Sequence, residues 1–246
     1  MFVLFTDFGF EGPYLGQMKA VLLQRAPGVP IVDLLADAPT WNPRASAYLL
    51  ASYANAFPLG SVFLAVVDPG VGTEQRQPVV VEADGRWFVG PGNGLFSIVT
   101  RRARHSRSWS IDWRPSSLSS SFHGRDLFAP IAAAVAQGDL GGCSPGMADT
   151  RDEWPDELEE VIYVDHFGNL ITGIRAEQIP VQSVISIGGE PLHHATTFGE
   201  VPEGAAFWYA NSNGLVELAV NQGRADHRFD AHVGDPIRLF QDSSEL

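Results

Sequence analysis

Residues 61–72 read SVFLAVVDPGVG, the clearest strand-and-loop pattern in this chain of 246 residues. The apolar run ends at Asp68 and Pro69, which are residues typical of a turn. The pattern predicts a buried strand that stops at a carboxylate. Buried strands of this kind occur in sheets covered by helices, so the neighbouring segments should alternate between strands and helices.

The segments on both sides follow that alternation. Strands are predicted at 3–6 and 31–35, and helices at 14–27, 43–57 and 124–138. Pro43 stands at a first helical position, and Gly138 is a typical helix end. Residues 77–94 are predicted to form a hairpin, because its turn carries an Asp-Gly pair. We therefore expect residues 1–138 to form an α/β domain with a mainly parallel sheet.

The pattern changes after residue 138. Residues 139–157 contain Gly, Pro and acidic residues without periodicity, which predicts a linker. Residues 158–246 show short strand-like runs separated by turns, and no convincing helix. We expect this second domain to be a small all-β barrel.

Charge and composition argue against several classes of function. The formal net charge is −13, whereas a nucleic-acid partner would require clustered Lys and Arg. The basic stretch at 101–107 is interpreted as a solvated helix end. No apolar run approaches the roughly 18 residues that a membrane helix needs, so no membrane partner is expected. Cys143 is the single cysteine, which excludes an intrachain disulfide and favours a cytoplasmic location.

The chain also lacks several familiar catalytic signatures. It contains no HExxH, no CxxC pair, no P-loop and no GxSxG. Its seven histidines are scattered, apart from His193 and His194, whose side chains would face opposite sides of a strand. We therefore expect no metal site.

Two carboxylates directly follow predicted strands. In open α/β sheets, ligands bind beyond the carboxyl ends of the strands. Asp7 follows the first strand and Asp68 follows the strand within residues 61–72. Either residue could instead be an ordinary turn or helix-capping aspartate, and spacing alone leaves both interpretations open.

Three further polar motifs have two interpretations each. His123 leads into a helix that begins near Arg125, where the helix start favours negative charge, or it is an ordinary residue near a cap. The motifs DHFGN at 165–169 and NSNG at 211–214 have the usual content of tight turns. Taken singly, the last two favour a turn over a site.

Five motifs in order nevertheless resemble one family. They are TDFG at 6–9, VVDPGVGTEQR at 66–76, FVGPGNGLFS at 88–97, SFHGRDLFAP at 121–130 and DHFGNLIT at 165–172. The family is that of the S-adenosylmethionine hydroxide adenosyltransferases, which are related to fluorinating and chlorinating enzymes. The resemblance implies an α/β domain, a C-terminal β-barrel, and hydrolysis of S-adenosylmethionine to adenosine and methionine.

The resemblance assigns roles to individual residues. It implies a catalytic set of Asp68, Arg76 and His123. It implies a substrate-binding set of Asp7 for the ribose hydroxyls, Trp41 and Phe122 along the pocket, and Asp165, Asn169 and Ser212 for the methionine ammonium and carboxylate. It also implies a homotrimer whose sites are shared between subunits.

The sequence departs from the family pattern at two positions. The arginine of the catalytic set commonly stands one residue earlier, where this chain has Gln75 before Arg76. Asn213 replaces an arginine that the halogenating relatives carry. The chain keeps Asp68 and His123, which favours water over halide as the nucleophile.

The sulfonium of this substrate makes methionine a neutral leaving group, so neither a general acid nor a cofactor is expected. The expected nucleophile is a hydroxide near Arg76, oriented by Asp68 and His123, with His123 accepting the proton. Three alternatives stay open: a non-catalytic adenosine or S-adenosylmethionine binder, halide transfer to the same carbon, and a metal-dependent hydrolase using Asp7 and Asp68 as ligands.

Overall fold

The computed structural model describes residues 1–73, 76–147 and 149–241. The chain divides into two compact units, Met1–Arg151 and Asp152–Leu246. The first contains both helices and strands, and the second consists mainly of strands. None of the helices in the described ranges has the length and apolar character that a membrane crossing demands.

A seven-stranded sheet forms the centre of the first unit. Its strands are β1 (Phe2–Thr6), β2 (Ile31–Leu35), β3 (Val62–Val66), β4 (Gln77–Ala83), β5 (Arg86–Gly92), β6 (Ser106–Ile111) and β7 (Cys143–Pro145). Their order across the sheet is β2-β1-β3-β5-β4-β6-β7. The strand predicted within residues 61–72 is therefore β3, and it lies between β1 and β5 with every residue buried.

The sheet is mixed, which corrects the prediction of a mainly parallel one. Strands β2, β1, β3 and β5 are parallel neighbours, whereas β4, β6 and β7 pair antiparallel. The predicted hairpin accounts for the first reversal, because Asp84 and Gly85 both adopt the positive φ of a two-residue hairpin turn. Strand β7 lies within residues 139–157, where the sequence predicted a linker.

Helices cover both faces of this sheet. They are α1 (Tyr14–Arg25), α2 (Pro43–Tyr53), α3 (Ser97–Arg102) and α4 (Ala129–Ala136), the last preceded by a π-helical turn at Gly124–Phe128. On one face α1 and α4 contact each other and share a core with Leu4 and Leu64. On the other face Phe63 stacks on Phe88, which contacts Phe96 at the start of α3. Each large apolar side chain buried in this way contributes about 1.5–3 kcal/mol.

The second unit contains two antiparallel sheets. The four-stranded sheet has the order β12-β13-β9-β8, and the three-stranded sheet has the order β11-β10-β14. The strands are β8 (Leu158–Val164), β9 (Leu170–Arg175), β10 (Val184–Ile187), β11 (Glu190–Leu192), β12 (Ala206–Ala210), β13 (Leu215–Val220) and β14 (Arg238–Phe240). A short helix, α5 (Ala225–Phe229), was not predicted. Trp208 belongs to this unit's core and is almost fully buried.

Candidate active site

The two predicted carboxylates lie at the same end of the first sheet, beyond the carboxyl ends of its inner strands β1 and β3. Strands β1 and β3 are parallel, and Thr6 pairs with Val66 in register. Asp7 and Asp68 follow these residues by one and two positions, so both lie just beyond the carboxyl ends of neighbouring strands. Ligands bind at this edge in open α/β sheets.

A cavity of about 260 Å³ opens at this edge. Its lining includes five residues predicted from the sequence: Asp7, Trp41, Asp68, Phe122 and His123. It also includes Phe8 and Tyr14, which were not predicted. The first unit thus brings together every ribose-side and catalytic candidate except Arg76 in one cavity.

Arg76 lies directly behind the cavity wall. Its Nε donates to Asp68 Oδ1 at 2.6 Å, and its Nη2 donates to Asp68 Oδ2. The exposed fractions of the two side chains are only 6% for Arg76 and 4% for Asp68. A second cavity, of about 410 Å³, is lined by both residues together with Thr73, Asn93 and Arg151. The paired side chains therefore separate two cavities.

The sequence left open whether Arg76 can supply the arginine of the catalytic set, because the family pattern places that arginine one residue earlier. Gln75, where the family pattern places the arginine, lies outside the described residues. Arg76 does reach Asp68, and its Nη2 lies 3.2 Å from His123 Nδ1. Its guanidinium also lies over the Phe128 ring at 5.4 Å. The three residues of the predicted catalytic set are therefore in mutual contact through Arg76.

The contact with Arg76 fixes the protonation of His123. A guanidinium can only donate hydrogen bonds, so His123 Nδ1 must accept and carry no proton. Burial, followed by the positive charge of Arg76, lowers the pKa of His123. The imidazole is therefore neutral at pH 7 and carries its proton on Nε2. In this tautomer His123 is a hydrogen-bond donor through Nε2.

Asp7 is held ready to accept further hydrogen bonds. Its Oδ2 accepts a hydrogen bond from the backbone N–H of Trp41 at 3.0 Å, and Oδ1 can still accept hydrogen bonds from a ligand. Burial raises the pKa of Asp7, and the bond from Trp41 partly opposes that rise. Trp41 itself has φ +55°, a left-handed conformation that costs a non-glycine residue about 1–3 kcal/mol. Trp41 is 76% exposed and lines the cavity.

Three aromatic rings form one wall of the cavity. Phe122 meets Tyr14 edge-to-face with ring centres 5.2 Å apart, and it meets Phe8 at 5.9 Å. Tyr14 is the first residue of α1, and Phe8 stands inside the TDFG motif. Both residues lie close to Asp7 in the sequence, and this closeness is the signal that could have placed them at the cavity.

A glycine allows the loop that follows Asp68 to lie close to the loop that carries His123. Gly72 has φ +80°, and a Cβ at this position would lie 2.2 Å from the backbone oxygen of Ser120. Any side chain here would push apart the segments that place Asp68 and His123. The sequence VGTEQR therefore needs glycine at this point for a packing reason as well as a conformational one.

The second unit brings two of its three candidates together. Asp165 Oδ1 accepts the backbone N–H of Asn169 at 2.8 Å, and Oδ2 accepts the Asn169 amide at 3.1 Å. Gly168, between them, has φ +84°, as the tight turn requires. Ser212 is exposed in the turn before β13, where it contacts Asn213. No hydrogen bond joins Ser212 to Asp165 or Asn169 among the described residues.

A buried carboxylate beside this turn was not predicted. Glu217 is 4% exposed and accepts hydrogen bonds from Tyr209 and Asn211. The signal in the sequence was a single glutamate inside the otherwise apolar strand LVELAV. A buried charged residue of this kind is more informative than an exposed one.

In the part of the chain that the structure describes, no three His, Cys, Asp or Glu side chains are grouped as a metal site would need. Asp7, Asp68 and His123 line one cavity, but among the described residues they do not form such a group.

Comparisons with known proteins identify what the chain is similar to. It matches the family models for the SAM hydroxide adenosyltransferase N-terminal domain over residues 2–142 and C-terminal domain over residues 159–238. A Thermus thermophilus protein named (R)-S-adenosyl-L-methionine hydrolase is 41% identical, with 95% of this chain and 97% of the relative covered. A protein from Nocardia brasiliensis named fluorinase is 24% identical, with coverage of 95% and 94%.

Solved structures include a similar fold. The crystal structure of an uncharacterized conserved protein from Thermotoga maritima superposes with a TM-score of 0.87 at 29% identity. The superposition covers 97% of this chain and 99% of the other.

Proposed function

We propose, because this chain belongs to the SAM hydroxide adenosyltransferase family, that it hydrolyses S-adenosyl-L-methionine to adenosine and L-methionine. The observation that carries the proposal is the 41% identity, across nearly the whole chain, to a protein named as that hydrolase. The grouping of Asp68, Arg76 and His123 beside a cavity supports it.

The reaction needs an oriented oxygen nucleophile more than it needs acid catalysis. The water oxygen attacks C5′, the C5′–S bond breaks, and its electron pair neutralises the sulfonium to give a thioether. Holding the two reacting atoms in line contributes roughly 7–11 kcal/mol to lowering such a barrier. We assign that positioning to Asp68 and His123, because both line the cavity.

Each of these two residues makes a different hydrogen bond with the water. Asp68 has lone pairs that Arg76 does not use, so it accepts a hydrogen bond from the water and takes that proton when the water attacks. His123 Nε2 donates to the water oxygen, which leaves the remaining lone pair directed at C5′. This donor role replaces the proton-acceptor role expected from the sequence. The proton released in the reaction then passes from Asp68 to solvent.

Arg76 acts on this water through its two partners. It holds the Asp68 carboxylate by two hydrogen bonds and keeps His123 in the tautomer that donates. Asp7 binds the ribose hydroxyls through Oδ1, and Phe122 and Trp41 enclose the nucleoside. No cofactor enters this mechanism.

The methionine portion is assigned to the second unit, through Asp165, Asn169 and Ser212. The remaining expectations belong to the same proposal: a homotrimer that shares sites between subunits, a cytoplasmic location, and closure of the second unit's sheets into a barrel. Mixing inactive Asp68→Asn and Asn169→Ala subunits tests the shared site, because activity returns only if intact units from different chains meet.

The reaction itself is tested in oxygen-18 water. The purified protein is incubated with S-adenosyl-L-methionine, and the products are analysed by chromatography and mass spectrometry beside an enzyme-free control. We expect equal amounts of adenosine and methionine, with the label in the 5′-hydroxyl. Formation of 5′-chloroadenosine in chloride buffer would instead support halide transfer, and tight binding without products would support a binding protein.

A further inference from the structure

The side chain of Arg125 contacts three different parts of the first unit. Its Nε and Nη2 donate to Asp126 Oδ1 and Oδ2 at 2.6 and 3.1 Å, and its Nη1 donates to Gln17 Oε1 at 2.8 Å. Its guanidinium lies over the Phe122 ring, with Cζ 5.2 Å from the ring centre. Gln17 belongs to α1, whereas Phe122 lines the cavity of about 260 Å³. Arg125 therefore connects α1 with the cavity wall.

Asp126 completes these contacts. Its Oδ2 also accepts a hydrogen bond from the backbone N–H of Ser119 at 2.9 Å, so it holds the start of the loop that carries Phe122. The hydrogen bonds from Arg125 lower the pKa of Asp126, although burial opposes that shift. The carboxylate is therefore charged at pH 7, and the ion pair adds no net charge beside the cavity.

Apolar contacts bring the same loop close to α1. Gly124 follows this loop, and a Cβ at its position would lie 3.1 Å from Met18 Sδ and 3.4 Å from Phe8 Cζ. The Phe122 ring meets Tyr14 and Phe8 edge-to-face. A guanidinium within about 6 Å of a ring centre attracts the ring face. Phe122 therefore has aromatic neighbours and one cationic neighbour, Arg125.

The exposure of Arg125 separates a role in binding from a role in folding. Its side chain is 36% exposed, and exposed ion pairs contribute little to stability. Removing the guanidinium should therefore leave the unit folded. The Phe122 ring would lose one of its neighbours and could turn away from the cavity. Its position, rather than the fold, is the property that depends on Arg125.

We propose that Arg125 is a positioning residue that holds the Phe122 ring against the nucleoside of the substrate. The inference rests on the proposed function, in which Phe122 encloses that nucleoside. The hydrogen bonds of Arg125 go to Asp126 and Gln17 and reach neither Asp68 nor His123. Substrate binding, and not the chemical step, therefore depends on Arg125.

The test is Arg125→Met, which keeps an unbranched side chain and removes the guanidinium. We expect KM for S-adenosyl-L-methionine to rise about fivefold, with kcat within about twofold of the wild-type value. The Kd of adenosine, measured by calorimetry, should rise by a similar factor. Adenosine is neutral, so its Kd is insensitive to the charge that Asp126 keeps when its partner is removed.

Arg107→Met is the matched control. Arg107 also pairs with a carboxylate and covers a ring: its Nε donates to Glu82 Oε2 at 3.1 Å, and its guanidinium lies 5.5 Å from the Trp109 ring centre. None of these three residues is among those that line the cavity. KM, kcat and the Kd of adenosine should all stay within about twofold of wild type. Should Arg125→Met fail to fold by circular dichroism, Gln17→Met removes only the contact with α1 and should raise KM less.

A double-mutant cycle with Phe122→Leu distinguishes positioning from a general structural effect. Without the ring, Arg125→Met should change KM by less than about twofold, because the two substitutions act through one contact. Independent, multiplying losses, an unchanged KM for Arg125→Met, or a fall in kcat alone would each overturn the inference.

Failure of the proposed function gives a separate result. If the wild-type protein bound adenosine but formed none from S-adenosyl-L-methionine, hydrolysis would be rejected, and the adenosine Kd values across the same cycle would still decide the role of Arg125. A wild-type protein that bound no adenosine would overturn the inference as well.

Discussion

The two polar clusters of this protein differ in how their buried carboxylates are compensated. In the first unit Asp68 is paired with Arg76, a cation that is itself almost fully buried. In the second unit Glu217 accepts hydrogen bonds from two neutral donors, Tyr209 and Asn211. A buried charge is costly unless it is paired or hydrogen-bonded, and the kind of compensation determines what the site can accept. The first cluster contains a full ion pair beside a cavity, whereas the second contains a carboxylate whose donors Tyr209 and Asn211 are neutral.

The largest expected effect comes from a substitution that removes the buried ion pair of the first cluster. Asp68→Asn removes the proton acceptor and one charge of the buried ion pair, so we expect kcat to fall roughly 10²-fold or more. KM should change much less. Steady-state adenosine release measures both quantities. Asp33→Asn, which removes a surface carboxylate paired with Lys19, is the control and should leave kcat unchanged.

The result has a structural check. Removing one member of a buried ion pair leaves Arg76 uncompensated, so thermal unfolding of the Asp68→Asn protein must be followed in parallel. A folded Asp68→Asn variant with wild-type kcat would contradict the assignment of Asp68.

A smaller effect should distinguish binding from chemistry within the first unit. Asp7→Ala removes the acceptor proposed for the ribose hydroxyls and the partner of the Trp41 N–H. Because these contacts are the same in the ground and transition states, we expect KM to rise about tenfold and kcat to stay within about threefold. Initial rates over a range of substrate concentrations measure the two parameters. A fall in kcat alone would place Asp7 in the chemical step.

The smallest expected effect concerns pH. Burial and then Arg76 lower the pKa of His123 from 6.5, so the neutral, Nε2-protonated form persists below that value. Protonation of Nδ1 leaves the Nε2 donor in place, so the shift is measured on the imidazole itself. The ring should titrate below 6.5 in the wild-type protein, and in Arg76→Ala the loss of one positive charge should move this titration to higher pH. NMR signals of His123 between pH 5 and 8 measure the shift, and an unchanged titration would argue against the contact's role.

Much of the first unit could be predicted from local pattern. The strand within residues 61–72, the strand before Asp7 and the hairpin at Asp84–Gly85 each depend on neighbours in the sequence. The antiparallel strands β6 and β7 were missed for the opposite reason. The predicted helix end at 101–107 in fact covers the last turn of α3 and the start of β6. Short edge strands take their stability from pairing, which local pattern does not report.

The sequence by itself determined the family, the residues at the ends of β1 and β3, and the turn chemistry at 165–169. The tertiary structure decided which atoms of those residues already form hydrogen bonds and which can still bind a ligand. Arg76 reaches Asp68 and His123 only because two loops approach closely at Gly72, and that approach sets the tautomer of His123. Tyr209 donates to Glu217 only because β12 and β13 are neighbours in one sheet. A hydrogen bond depends on positions in space, which residues distant in sequence acquire only when the chain folds.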